Sequence, residues 1–245
     1  KSKIICLTSY SKNFASIVDK YSDIVLVGDS LGSVLYNYNS TRHVTLKNMI
    51  DHSKSVRMGI SKSLMVVDMP YKSYSNKSEA LKNAKKIIKY TKCDAVKLEG
   101  GQKIKNIVKH LIKNKISVMG HLGILPQSMV GKFKSKGKTK KEKNILIQDS
   151  KMLESLGVFA IVLECVSSNT AKKITNSIKI PTIGIGSSFH CDGQILVTDD
   201  LLGLNETKIK FVKKFINIRK NIEQGIKKFK FEVINNKYPS KKYSY

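Results

Sequence analysis

Eight short apolar runs, rich in Ile and Val, recur at fairly even intervals along the chain, and no other feature restricts the fold as strongly. They are IICLTSY (4–10), DIVLVGD (23–29), LMVVDMP (64–70), AVKLEG (95–100), ISVMGHLG (116–123), FAIVLEC (159–165), PTIGIGS (181–187) and QILVTDD (194–200). Runs this short and this continuously apolar belong to a parallel sheet covered on both faces. Most of the stretches between them have helical periodicity. SEALKNAKKIIKY (78–90) places Leu81, Ala84, Ile87 and Ile88 on one face, and KIKNIVKHLIKN (103–114) groups Ile104, Ile107, Val108 and Leu111 opposite lysines. TAKKITNSI (170–178) repeats the pattern on a smaller scale. Strand–helix alternation with eight strands predicts an α/β fold, a (β/α)8 TIM barrel, which takes about 250 residues. An open doubly wound sheet is the alternative, but no GxGxxG or GxxxxGK[ST] fingerprint supports a nucleotide fold. The expected organisation is one barrel domain over residues 1–245, with C-terminal helices from about residue 206. The lysine-rich segment GKFKSKGKTKKEK (131–143) reads as a mobile loop after the fifth strand.

The chain is long enough, and at 41% hydrophobic residues apolar enough, to bury a sizeable core. Its 45 Lys+Arg against 18 Asp+Glu give a net charge of +27, which raises nucleic acid as a partner. The distribution argues otherwise. Lysines are spread over nearly every polar stretch, and the arginines that lead phosphate and base recognition are reduced to Arg42, Arg57 and Arg219. Nucleic acid is therefore not the expected partner. The cysteines, Cys6, Cys93, Cys165 and Cys191, form no CxxC pair, and Cys6 and Cys165 lie inside apolar runs, as reduced thiols of a cytoplasmic protein do. No apolar run is long enough to span a bilayer, and the opening KSKIIC enters a strand rather than reading as a signal peptide.

Polar residues fall at the strand ends. The second, third and fourth runs finish on Asp29, Asp68 and Glu99. In a barrel these ends lie on the C-terminal face, where active sites are built. Three converging carboxylates repel one another, and a hard divalent cation such as Mg2+ resolves that repulsion. Any one of them alone reads equally as a helix N-cap or turn residue. In VKLEGG, Lys97 and Glu99 are two apart and share a strand face, so an inward-facing pair sets an ammonium beside a carboxylate; a lysine snorkelling at the sheet end is the other reading. Glu164 stands in the apolar VLECV, where burial is expected to raise its proton affinity and suit it to accept a proton, unless it pairs with a nearby lysine. His121 lies between two glycines in GHLG, as a site residue or a satisfied core histidine. Pro126-Gln127-Ser128 reads as turn chemistry, and IGIGSS (183–188) leaves small residues where backbone can approach a ligand.

VGDSLG, VDMPYKSY, VKLEGG, GHLGILPQS, VLECV and IPTIGIGSSFHCDGQILV together, in this order and spacing, resemble the ketopantoate hydroxymethyltransferase family. The similarity covers nearly the whole chain, including KFVKKF (210–215) and the terminal YPSKKYSY. The resemblance implies a barrel of the phosphoenolpyruvate/pyruvate type, Mg2+, assembly into homodecamers, and a step toward pantothenate and coenzyme A. In that step a one-carbon unit passes from 5,10-methylenetetrahydrofolate to 2-oxoisovalerate (3-methyl-2-oxobutanoate). Carried over by position, Asp29, Asp68 and Glu99 match the carboxylates around the metal, the third acting through water. Asp29, Ser30, Asp68, Lys97 and His121 match residues of the oxo-acid site, His121 as a site histidine, and Glu164 matches the general base.

The sequence departs from the family pattern at Ser11, where the first strand usually gives Asp. It departs again at Gly131-Lys132-Phe133 and Lys136-Gly137-Lys138, which replace Gly-Gly-aromatic and Gln-Gly-Arg, and at SSFH (187–190), which replaces a glycine-rich stretch. The N-terminus is also shorter than the family's usual one. Two competing readings remain. A carbon–carbon lyase of the same superfamily generally uses a reactive Cys in a mobile loop, and residues 124–143 contain none. A nucleic-acid-binding protein predicts salt-dependent affinity that survives loss of Asp29 and Glu164.

Overall fold

The apolar runs become eight parallel strands: β1 (Ile4–Thr8), β2 (Ile24–Val27), β3 (Leu64–Asp68), β4 (Ala95–Glu99), β5 (Val118–Gly123), β6 (Ala160–Glu164), β7 (Thr182–Ile185) and β8 (Gly193–Leu196). In this computed structural model, which describes residues 2–129, 134–206 and 209–245, each strand pairs with its sequence neighbour and β8 closes on β1. The barrel expectation holds, and closure excludes the open sheet. The last run is shorter than expected as a strand. β8 ends at Leu196, and Thr198–Leu201 turn into a short helix.

Alternation along the strands sorts apolar residues into two layers. Cys6, Ile24, Leu26, Val66, Ala95, Met119, Ala160, Val162, Ile183 and Ile195 fill the barrel interior as one cluster. Their neighbours, among them Val25, Val27, Met65, Val67, Val96 and Leu98, pack outward against helices. Each such fully buried aliphatic side chain contributes up to about 1.5–3 kcal/mol.

Seven helices follow the first six strands: α1 (Lys12–Val18), α2 (Leu31–Tyr36), α3 (Leu46–Arg57), α4 (Lys77–Thr91), α5 (Lys105–Lys113), α6 (Lys140–Leu156) and α7 (Ser168–Ser177), with α3 the second after β2 and β7 leading to β8 without one. Local chemistry sets their ends. The Asn76 side chain accepts from Glu79 N–H to start α4, which buries Ala80, Ala84 and Ile87 before Lys92 closes it in the left-handed conformation. Thr45 and Asn48 form a capping box on α3. Thr139 caps α6, and Gly157, at φ 96°, ends it.

The basic loop is shorter than expected. Residues 140–143 form the first turn of α6, and Gly131, Lys132 and Phe133 lie outside the described residues. Lys136 and Gly137 are docked rather than loose. Lys136 N–H donates to Cys165 O, and Gly137 O accepts from the hydroxyls of Ser167 and Thr170, each at 2.8 Å.

The N-terminal face of the barrel is tied by aspartates. Asp23, Asp94 and Asp192 each stand one residue before an even-numbered strand and accept a backbone N–H from the odd strand before it, at Ile5, Met65 and Thr182. Asp19, buried after α1, accepts from the backbone of Ser61, Lys62 and Ser63 and from the Ser61 hydroxyl.

The chain divides into two compact units, Lys1–Val197 and Thr198–Tyr245. The second holds α8 (Thr198–Leu201) and α9 (Ile218–Ile234). No residue of α9 is buried, and Ile222, Ile226, Phe229, Phe231, Val233 and Ile234 are all exposed. Among the described residues no helix is long and apolar enough to cross a membrane.

Candidate active site

The inward rows that are apolar in the body of the barrel turn polar at its C-terminal end. Val66 is followed two residues on by Asp68, Ala95 by Lys97 and Glu99, Met119 by His121, and Val162 by Glu164. Parallel register aligns them, with Asp68 opposite Lys97 and Glu99 opposite His121. Lys97 therefore faces the interior and does not snorkel; its ammonium lies 2.9 Å from Asp68 Oδ1, with both side chains buried.

Asp29 and Ser30 arrive by a different route, in the turn from β2 into α2. Gly28 makes that turn possible, because a Cβ there would stand 2.8 Å from Ser30 Oγ and 3.6 Å from Asp68 Oδ2. Asp29 N–H donates to Asp68 Oδ2 at 3.0 Å. Ser30 Oγ lies 2.8 Å from the Tyr10 hydroxyl, which comes from the segment after β1.

His121 is buried among these groups. Its Nδ1 is 3.3 Å from Lys97 Nζ and 3.6 Å from Glu99 Oε1. Its Nε2 is 3.2 Å from Glu164 Oε2, off the line of an ideal hydrogen bond, and has no other partner among the described residues. Glu164 is less buried than its apolar sequence context implies. Its side chain keeps 16% exposure, because the strand ends there and the carboxylate turns toward the open mouth, pairing with His121 rather than a lysine.

The electrostatics follow from crowding charge into a dry space. Burial, then the charge of Asp68, pushes the Asp29 carboxyl up to about 7. Burial, then Asp29, holds Glu99 well above the ordinary carboxylate range. Burial alone would lower Lys97, but Asp68, Glu99 and Asp29 outweigh it and hold the ammonium charged. Burial, then the neighbouring Lys97, lowers His121 and keeps its ring neutral at pH 7.

Among the described residues no three His, Cys, Asp or Glu side chains already form a metal-ligating cluster. The donor chemistry nevertheless fits Mg2+. That ion takes one or two carboxylates and fills its remaining positions with water and substrate. Asp29 and Asp68 are adjacent through the Asp29 N–H, and the Asp29 carboxyl, pushed up by burial and Asp68, is one that a cation could hold in place of a proton.

The family model described as ketopantoate hydroxymethyltransferase matches residues 1–241. The chain belongs to that family. A ketopantoate hydroxymethyltransferase family relative in Pelagibacter ubique (strain HTCC1062), named 3-methyl-2-oxobutanoate hydroxymethyltransferase, is 64% identical over all of this chain and 95% of its own length. Relatives with the same name in Anaplasma marginale (strain St. Maries) and Clostridium botulinum (strain 657 / Type Ba4) are 42% and 45% identical over 99% of this chain and 88% and 90% of theirs. Among solved structures, phosphonopyruvate hydrolase in complex with oxalate and Mg++ aligns at TM-score 0.67 and 8% identity, over 98% of this chain and 88% of that one. A 2,3-dimethylmalate lyase of the PEP mutase/isocitrate lyase superfamily aligns at TM-score 0.62 and 12% identity, over the same shares. These two show the fold alone, an eight-stranded (β/α) barrel.

One member of this polar cluster was not legible in the sequence. Gln127, in the segment read as turn chemistry, is buried at 2% exposure. Its side-chain amide donates to Asp29 Oδ2 at 2.8 Å and to Met69 O at 3.0 Å, and its backbone N–H donates to Glu99 Oε2 at 3.0 Å. The Tyr74 hydroxyl and Arg42 Nε hold it in turn, donating to its side-chain and backbone oxygens. A glutamine in a loop has no periodicity to betray its burial; its position directly after Pro126 was the available signal.

The departures from the family pattern lie at identifiable places. Ser11 is the N-cap of α1 and makes no side-chain cap bond. Ser187 and Ser188 hydrogen-bond to Val166 O and Ser168 Oγ, tying the mouth of β7 to the turn after β6.

Proposed function

We propose that this chain transfers a hydroxymethyl group from 5,10-methylenetetrahydrofolate to 3-methyl-2-oxobutanoate, giving ketopantoate on the route to pantothenate. The observation that carries this reading is the family match over residues 1–241. The inward polar set of Asp29, Ser30, Asp68, Lys97, Glu99, His121 and Glu164 supports it. Asp29 and Asp68 would hold Mg2+, with Glu99 acting through water. The ion would supply positive charge beside the keto and carboxylate oxygens of the substrate.

The remaining work falls to side chains. Ser30 donates to the substrate carboxylate and, with Lys97, fixes its orientation. Glu164, at the mouth, takes the proton from C3. Lys97, the buried ammonium, stabilises the charge that develops on the keto oxygen as that proton leaves. C3 then forms its new bond to the folate-borne methylene as one of that carbon's two C–N bonds breaks. Water displaces the second folate nitrogen, leaving the hydroxymethyl group on C3, and tetrahydrofolate departs. The working assembly in this reading is the homodecamer, located in the cytoplasm.

The test is deuterium exchange at C3 of 3-methyl-2-oxobutanoate, followed by proton NMR without folate, with and without Mg2+. We expect Mg2+-dependent exchange that falls about 100-fold or more in Glu164→Gln. A folded, Mg2+-supplied chain that neither exchanges this proton nor forms ketopantoate with folate present would overturn the proposal. The lysine-rich surface would then merit a nucleic-acid binding assay.

A further inference from the structure

His121 has two ring nitrogens facing two different groups, and their chemistry decides which nitrogen carries the proton. Lys97, charged among Asp29, Asp68 and Glu99, has only donors to offer, and its Nζ is 3.3 Å from His121 Nδ1. An Nδ1 that faces an ammonium must be the bare, accepting nitrogen. The competing partner, Glu99 Oε1, is 3.6 Å away, too far for a hydrogen bond to hold a proton on Nδ1. The ring proton therefore sits on Nε2, which is buried, and whose nearest acceptor is Glu164 Oε2 at 3.2 Å.

We infer that His121 is a positioning residue for the reaction proposed above: Lys97 fixes it as the Nε2–H tautomer, and Nε2–H holds Glu164 Oε2 so that Oε1 is the oxygen presented to the substrate. The inference rests on that proposed reaction. The contact is loosely aligned in the free protein, as hydrogen bonds of catalytic groups often are, and tightens when substrate fills the mouth. The arrangement couples the two groups that act on opposite ends of the enolising unit. The cation that steadies the keto oxygen also sets the tautomer that aims the base at C3. Glu99, by contrast, is held by the backbone of Gln127 and does not need His121.

The deciding measurement is nitrogen NMR of the unaltered chain labelled with 15N-histidine, the His121 ring being assigned by its loss in His121→Gln. We expect a bare Nδ1 and a protonated Nε2. A proton on Nδ1, or on both nitrogens at pH 7, overturns the inference, whatever the activity. The kinetic companion is C3 exchange in two variants. His121→Leu, which has no donor, is expected to lose about 100-fold in kcat with KM for the oxo acid nearly unchanged, the cost of a misplaced catalytic group. His121→Gln, which keeps an amide donor near the Nε2 position, is expected to recover part of that loss. A loss confined to KM, or equal loss in both folded variants, overturns the positioning role. Absence of exchange in the unaltered chain overturns the proposed reaction, and the positioning role with it, while the tautomer stands or falls by NMR alone.

Discussion

A carboxylate pushed up to about 7 makes the site sensitive to pH. Asp29 has a folded-state proton affinity above the ordinary carboxylate value of about 3.9, so folding favours its protonated form. Its stabilising contribution is fully present below about pH 4 and is lost as pH rises through about 7. Mg2+ held at Asp29, as proposed, would compete with that proton, so the Tm gain on adding Mg2+ should grow from about pH 6 to about pH 8. Thermal melts with Mg2+ and with a chelator across that range measure it, and a gain independent of pH would contradict the assignment of Asp29 as a ligand. Lys97 is the counterpart. Lys97→Met leaves Asp68, Asp29 and Glu99 buried around a missing cation. The expected cost is about 3–5 kcal/mol by urea unfolding, relieved at acid pH. A variant as stable as the parent at pH 7 would mean that the carboxylates are not compensated by this lysine.

Between elements, stability and chemistry occupy opposite ends of the barrel. The C-terminal ends carry the crowded charges. The N-terminal ends carry Asp23, Asp94 and Asp192, each stitching an even strand to the odd one before it, with Phe159 at the corresponding position before β6. Asp19 performs a related task between the end of α1 and the entry to β3. Burial opposes its ionisation, but hydrogen bonds from Ser63, Ser61 and Lys62 outweigh this and hold its carboxyl below the usual range. For a depressed carboxylate the stabilisation is present above the unfolded value of about 3.9 and is lost as pH falls through the folded one. Asp19→Ala should therefore cost about 2–3 kcal/mol at pH 7 through the donors it leaves unpaired, and the gap to the parent should narrow below about pH 4. C3 exchange by the folded variant should be unchanged, since Asp19 lies at the other end of the strands. A pH-independent gap would show that the cost is packing rather than charge.

At the scale of the whole molecule, the exposed side chains of α9 are the feature a lone chain does not account for. Six apolar residues on one 17-residue helix are exposed. Ile222, Ile226, Phe229 and Val233 recur at helical spacing along one face of it, and an exposed apolar stripe of that kind marks an interaction site. With the homodecamer implied by family resemblance, light scattering should return about ten times the mass of one chain. Ile226→Glu with Phe229→Glu should shift the assembly to smaller species, and a monomeric parent would contradict this assembly. The lysines behind the +27 charge are spread over nearly every polar stretch of the sequence.

The sequence by itself determined the strand set, the barrel and most of the polar mouth. Strand period two is a local property, so Lys97 and Glu99 could be placed on one strand face from their spacing, while barrel closure showed that face, with Asp68, His121 and Glu164 in the rows of Val66, Met119 and Val162, to be the inward one. Only the tertiary structure decided what each of these groups faces. Gln127 reaches Asp29 across 98 residues, and His121 meets Lys97 across 24. The exposure of Glu164 depended on where β6 ends relative to its neighbours, and the docking of Lys136–Gly137 on partners at 165–170. Those contacts are set by barrel closure and loop packing, which bring together residues whose local patterns carry no information about one another.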